Sequence, residues 1–553
     1  MKLVIVETPA QAKILADHLG DGWRVEPCYG FVRDLPPNAL GVEPDHDFRP
    51  TFNIAQGKGG SAVRLKQALR EADAIYAATS PGCDGEAMAW HALALEPSVT
   101  EKKKPVYRVM LDALTRDAIR DAFASPLPLN MGRVHAALTA RIADRLAGYA
   151  VNAAASKALG IETRLTYASM VALRQLANRE ASASRTCWQS AVRFSLGDGS
   201  FAAKILNAKG RPLTLGSELQ VEQLKRMLDH SHYWVEKLGG TTRAHPAPNP
   251  LTLTTLIEAA GHELNLPAER TLALVSTLYE AGQITHPDGI MLPDATEAAQ
   301  EHIKREFGEA YLASMPPTAN GIAPADVNRL PESSAGAGAA LYRLIWCYFV
   351  AAHMAPAQER ITAARIRVGP AQDKPYPLTL LAQSSQIVFD GWMRVFKNRK
   401  PDEAADWLPL LKEGLAIRSA QAELVLDQRQ MAERFSATSL VTTLMQCGFS
   451  AQTAIDCGAL LQTNGLIAAT DGALALTDAG LRIAAFLKEK FSTLTDPAYA
   501  VEFFTGVEAI SVGEQTRAGL LAGFWSRCSG DTAANEEETP SRKPVVLHAL
   551  EEA

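Results

Sequence analysis

Metal-assisted phosphoryl chemistry at the end of a β-strand calls for carboxylates at alternate positions, in an Asp-x-Asp-x-Glu pattern. Side chains two apart on an extended chain point the same way, and carboxylate oxygens suit Mg²⁺. Residues 71–91, EADAIYAATSPGCDGEAMAWH, have the frame of such a site: a strand from Ala74 to Thr79, a turn, and a helix from near Gly85. The places that should carry the acids hold Ser80, Gly82 and Asp84. The frame is kept while most of the metal-binding chemistry is absent, so no bound metal is expected. Glu7, Asp84 and Glu86 are the one set that offers Mg²⁺ a footing, since one or two carboxylates plus waters suffice for loose binding. The plainer reading is that Glu7 and Glu86 came with the fold, Glu86 favouring a helix N-terminus electrostatically.

The elements around this stretch alternate. Over residues 1–125 apolar strands (LVIVE, DAIYAAT, VYRVML) are interleaved with helical segments (AQAKILADHLG, SAVRLKQALREA, EAMAWHAL), the pattern of an α/β domain with a mostly parallel sheet. Residues 126–185 read as helical. Residues 186–247 and 361–430 are strand-rich and flank a helical block, 248–360, which suggests one β-domain made from two chain segments with a helical domain inserted. Within 431–530, residues 436–490 have the order of a winged-helix unit, a form that reads DNA in some proteins and only packs in others. The end, 531–553, is polar and acidic and reads as disordered.

Composition sets bounds. The chain has 553 residues, 47% hydrophobic and 21% charged, as soluble globular proteins do. No apolar run reaches the roughly 20 residues of a membrane helix, and the opening MKLVIVETPAQAK reads as a buried strand rather than a signal peptide. The seven cysteines are scattered with no C-x-x-C pair, which argues against zinc and against a disulfide framework, and a reducing cytoplasm is expected. The formal charge of −6 argues against strong non-specific coating of duplex DNA, although a local groove can still be positive.

Several runs, in order and spacing, resemble the type IA DNA topoisomerases, the bacterial topoisomerase I branch, as far as about Gly530. LVIVETPAQAK is similar to the opening strand of the TOPRIM domain, CYGFVRDLP to an S-Y-G-H-V-R-D-L-P motif, and ATSPGCDGEAMAWH to A-T-D-x-D-R-E-G-E-A-I-A-W-H. GVEPDHDFRPTF, VHAALTARIADRLAGY, LYEAGQITH and LYRLIWCYFVAAHMAPAQ match further family segments. The resemblance implies a four-lobed toroid: a TOPRIM domain, a helical and winged-helix base, a β-rich arch and a helical cap. It also implies a tyrosine nucleophile that forms a 5′-phosphotyrosine bond, a neighbouring arginine that steadies the phosphoryl charge, and Mg²⁺ on the acidic triplet.

The matching positions depart from that chemistry. His286 stands at the nucleophile's place and Asp288 at the arginine's. The family's H-E-A-I-R-P-T stretch corresponds to Ala319–Ala325, with Ala323 for its arginine, and Tyr167 stands for the arginine of S-A-G-R-V-Q-S. Glu7 and Lys13 keep the family's active-site Glu and Lys places. A catalytically inactive protein is therefore expected, with no catalytic residue, no Mg²⁺ and no zinc. It should bind DNA, single-stranded in preference, with a protein partner in a larger DNA-processing, defence or mobile-element assembly, and have no membrane association. Lys13, Arg33, Tyr167 and His286 are the DNA-contact candidates, although Tyr167 reads first as a core tyrosine and His286 as a solvated or packed histidine. An active topoisomerase or nuclease with rewired chemistry and a protein-only scaffold are the alternatives.

Overall fold

The computed structural model describes residues 1–528 apart from 184–185, 197–198, 290–292, 332–335, 397–407, 431–432 and 471. The acidic terminal segment 531–553 lies outside the described residues.

Four parallel strands, β1 (Lys2–Val6), β2 (Trp23–Pro27), β3 (Ala74–Ala77) and β4 (Val106–Arg108), form a sheet in the order β2-β1-β3-β4. The strand LVIV is apolar at every position because both faces are covered. Leu3 and Ile5 pack with Ile75, Leu65 and Leu69 on one face. Val4 and Val6 lie in a different cluster on the other, with Leu15, Leu111 and Ile119. The helix α1 (Pro9–Leu19) starts with a capping box, Thr8 Oγ1 accepting from the Gln11 N–H while the Gln11 side chain accepts from Thr8. The helices α2 (Gly59–Glu71) and α3 (Cys83–Leu93) run before and after β3.

A 29-residue helix, Met131–Leu159, leads from this sheet into a mainly helical core with Tyr167–Ala183 and the C-terminal helices Pro497–Ser511 and Arg517–Arg527. The same core takes in two helices (Ala437–Gln446, Ala451–Thr463), a hairpin (Ile467–Thr470 with Ala473–Leu476) and a third helix (Asp478–Lys490). The arch is one antiparallel sheet. Strands Thr186–Leu196, Gly199–Leu206 and His232–His245 come from the earlier segment and Ala357–Gly369, Thr379–Phe389 and Ala422–Gln430 from the later one. Its alternating residues, among them Val192, Phe194, Phe201 and Ile366, fill a core of their own. Between the two segments stand the helices Leu253–Leu264, Ala268–Glu280, Pro293–Glu306 and Ala337–Ala352.

These inserted helices seat on the parallel sheet. Leu274, Val275, Leu278 and Tyr279 belong to the same buried cluster as Val4 and Val6. Polar bonds fasten the joint: Thr8 Oγ1 donates to Glu280 Oε1 at 2.7 Å and Tyr279 Oη to the Leu111 carbonyl at 2.7 Å. Among the described residues no helix is long and apolar enough to cross a membrane.

Candidate functional site

The turn after β3 is shaped by two glycines. Gly82 has φ +99°, a region in which a side chain is strained, and a Cβ on Gly85 would lie 1.8 Å from the Ser80 carbonyl oxygen. The helix α3 therefore begins hard against the end of the strand. Arg108, at the end of β4, ties the two together. Its Nε donates to Glu86 Oε1 at 3.0 Å, its Nη1 to the Ala77 carbonyl at 2.9 Å and its Nη2 to the Ser80 carbonyl at 2.5 Å. Both partners of this ion pair are almost wholly buried. The other Glu86 oxygen accepts from the Asn130 N–H at 3.1 Å.

Glu86 is thus a structural anion, held away from the turn's open side, which removes it from the Glu7, Asp84, Glu86 set. Glu7 is engaged as well, its Oε1 accepting from the Ser80 N–H at 2.6 Å. Asp84 stays at the mouth, its carboxyl pushed up by the surrounding protein and then by Glu7. Ser80 and Gly82 bring no carboxylate, and among the described residues no three His, Cys, Asp or Glu side chains are placed to hold a metal ion. This donor set does not match the Mg²⁺ site that the resemblance implies. Cys83 is half-buried and its thiol is pushed up to about 11, by burial and then by Glu508.

Opposite the turn stands the segment after the helix Ala268–Glu280. Ile284 pairs with Pro324, and Thr285 exchanges hydrogen bonds with Ala323, which is fully buried. His286 follows. Its backbone N–H donates to the Asp112 carbonyl at 2.7 Å, and its ring meets Tyr279 edge-on at 4.9 Å. Burial, then Arg108, lower its pKa to about 4, so the imidazole is neutral near pH 7. Its Nδ1 accepts the Asp288 N–H at 3.1 Å. That bond assigns the proton to Nε2, which leaves no free ring lone pair for attack on phosphorus. Tyr279, which meets the His286 ring, has its hydroxyl spent on Leu111 and its pKa raised by burial, Glu7 and Asp112. Asp288 faces the turn, with its Cβ 3.8 Å from where a Cβ on Gly82 would stand. Its carboxyl keeps solvent contact but is pushed up to about 6 by crowding, Asp84 and Glu7.

The structure thus brings Glu7, Ser80, Gly82, Asp84, His286 and Asp288 to one place, and Arg108 and Asp112, which sequence reasoning passed over, complete it. The signal for Arg108 was a lone arginine in the apolar strand VYRVML, where a buried charge must have a partner. Lys13 is exposed on α1. Arg33 lies apart from the turn, over the rings of Trp90 and Phe52. Tyr167 is corrected: it is 1% exposed, packed among Phe449, Phe503 and Phe524, and cannot stack on a base.

The family model described as DNA topoisomerase matches residues 128–522, and that of the Toprim domain residues 2–111. The chain belongs to the DNA topoisomerase family. DNA topoisomerase 1 of Zymomonas mobilis is 26% identical to it across 98% of this chain and 47% of that protein, so the chain spans about half the length of this curated relative. Full-length topoisomerase I from Thermotoga maritima superposes with a TM-score of 0.77 at 22% identity, over 95% of this chain and 89% of that one. The fold is that of a type IA topoisomerase, TOPRIM domain included. In this topoisomerase homologue, the site between the TOPRIM sheet and the inserted helices holds His286, Asp288, Ser80, Gly82 and Asp84.

Proposed function

We propose that this topoisomerase homologue does not cut DNA but binds it, single strands in preference, without a metal and as a structural component of a larger DNA-processing, defence or mobile-element assembly in the cytoplasm. One observation carries the reading. A phosphodiester brought to His286 meets Asp288, Asp84 and Glu7, while the nearby cation Arg108 is committed to Glu86 and three backbone carbonyls. Like charges at such distances repel. Loss of one oxyanion-type donor typically costs roughly 10²–10³ in rate, and loss of a nucleophile on the order of 10⁶ where measured in a hydrolase.

DNA contact must then lie away from this turn. The helix-helix-hairpin-helix run from Ala437 to Lys490 has the order of a winged-helix unit, and family membership supports nucleic acid as the ligand. Fluorescence anisotropy with single- and double-stranded oligonucleotides over a salt series tests the binding; the affinity should fall steeply with salt if phosphates dominate. Plasmid relaxation, nicking and denaturing-gel trapping with Mg²⁺ test the chemistry. Absence of binding at low salt would remove the DNA part, and a covalent protein–DNA adduct would remove the inactive part. A protein-only scaffold is the second reading, favoured by the net charge of −6 and the acidic mouth of the site. It gains if a stable partner co-purifies with a chain that binds no DNA.

A further inference from the structure

A second pocket, of about 380 Å³, lies between the TOPRIM domain and the long helix that begins at Met131. Arg33, Phe52 and Trp90 line one side, and His135 and Arg517 the other. The Arg33 guanidinium lies 5.0 Å from the Trp90 ring centre and 5.6 Å from that of Phe52, which hold it in place. Its Nε and Nη2 are shut from solvent and find no acceptor among the described residues. Burial lowers its pKa, with no carboxylate acting on it to any comparable extent. The next residue, Asp34, is committed to Arg141 by two hydrogen bonds. Arg517 is likewise half-buried, with only Asp47 acting on it favourably. His135, its pKa lowered by burial and Arg517, adds a neutral ring.

Two guanidiniums facing one cavity with no acid on its wall are an unfavourable arrangement unless an anion completes it. The volume lies in the range of small-molecule sites, and the aromatic and imidazole rings offer a flat group a place to rest. We propose that this pocket binds a phosphate monoester, either free, as a mononucleotide, or as the phosphorylated end of a DNA strand. It is separate from the turn at Asp84 and does not rest on the DNA-binding reading, since a mononucleotide can fill it whether or not the chain holds polymeric DNA.

Isothermal titration calorimetry on the full chain, at matched ionic strength, tests it with five probes: inorganic phosphate, dAMP, adenosine, and a trinucleotide with and without a 5′-phosphate. Saturable binding of phosphate-bearing probes is expected, with none of adenosine. Arg33→Gln and Arg517→Gln should each weaken it by roughly tenfold or more, the worth of a hydrogen bond to a charged group. Tighter binding of dAMP than of the 5′-phosphorylated trinucleotide identifies a free ligand, and the reverse a strand end. If Arg33→Gln fails to fold, Arg517→Gln, at the first residue of the helix Arg517–Arg527, decides alone. No saturable heat from any phosphate-bearing probe at millimolar concentration overturns the proposal, as does binding that survives Arg517→Gln.

Discussion

Asp288 offers a direct handle on the repulsion at the core of the functional reading. Its carboxyl is raised from 3.8 to about 6 by crowding and by Asp84 and Glu7. That rise corresponds to at most about 3 kcal/mol. The side chain keeps solvent contact, so screening reduces the expected effect to about 1 kcal/mol. The sign follows from linkage. An unfolded aspartate ionises near 3.9, the folded one at about 6, so between these values the native state holds the extra proton and stability falls as pH rises. The penalty is absent below about pH 4 and complete above about pH 6. Asp288→Asn removes it. At pH 7.5 the variant should melt higher than the parent, by about 2–4 °C if a unit of 150–250 residues responds, and at pH 4 the two should coincide. Differential scanning fluorimetry of both proteins across that range is sufficient, because all other titrations are common to the pair apart from the relaxation of Asp84. A constant offset at every pH, or a less stable variant at pH 7.5, would refute the reasoning.

Arg108→Ala strands Glu86 in the protein interior and should destabilise by about 3–5 kcal/mol in urea unfolding. Arg108→Met with Glu86→Leu should recover much of that loss, and a double variant no better than the single one would argue against the pair's role. The Tyr167 hydroxyl is buried with no partner among the described residues, so Tyr167→Phe should be neutral or stabilising by up to about 1 kcal/mol in the same assay, without change in DNA affinity. A loss of affinity would restore Tyr167 as a DNA contact. His286→Ala should leave plasmid relaxation and nicking at background, as in the parent, since the ring has no free lone pair at neutral pH.

The architecture was legible because it rests on packing residues and glycines rather than on reactive groups. Gly85 and Gly82 are dictated by a backbone approach and a positive φ, both independent of chemistry, and they mark the turn between strand and helix. The same is true of Leu278, Tyr279 and Ile284, which fill the joint. Side-chain direction was not legible. Glu86 and Glu7 have the spacing of ligands, but Glu86 turns inward to an arginine 22 residues later, which no local pattern reveals. Tyr167 opens a helix whose first seven residues, to Leu173, are all buried; a helix covered all round at its start carries no solvent-facing stripe, and that run was the available warning. Asp288 was expected to repel phosphate, and its closeness to Asp84 and Glu7 came only with the tertiary structure.

The seating of the inserted helices on the TOPRIM sheet bears on how the molecule comes apart. Val4 and Val6 share one apolar cluster with Leu274, Val275 and Leu278, whereas Val192, Phe194 and Ile366 of the arch lie in another. Cooperative units follow such clusters. Amide exchange should therefore group the first strand with the helix Ala268–Glu280, more than 250 positions away along the chain, and report the arch as a distinct, separately melting body.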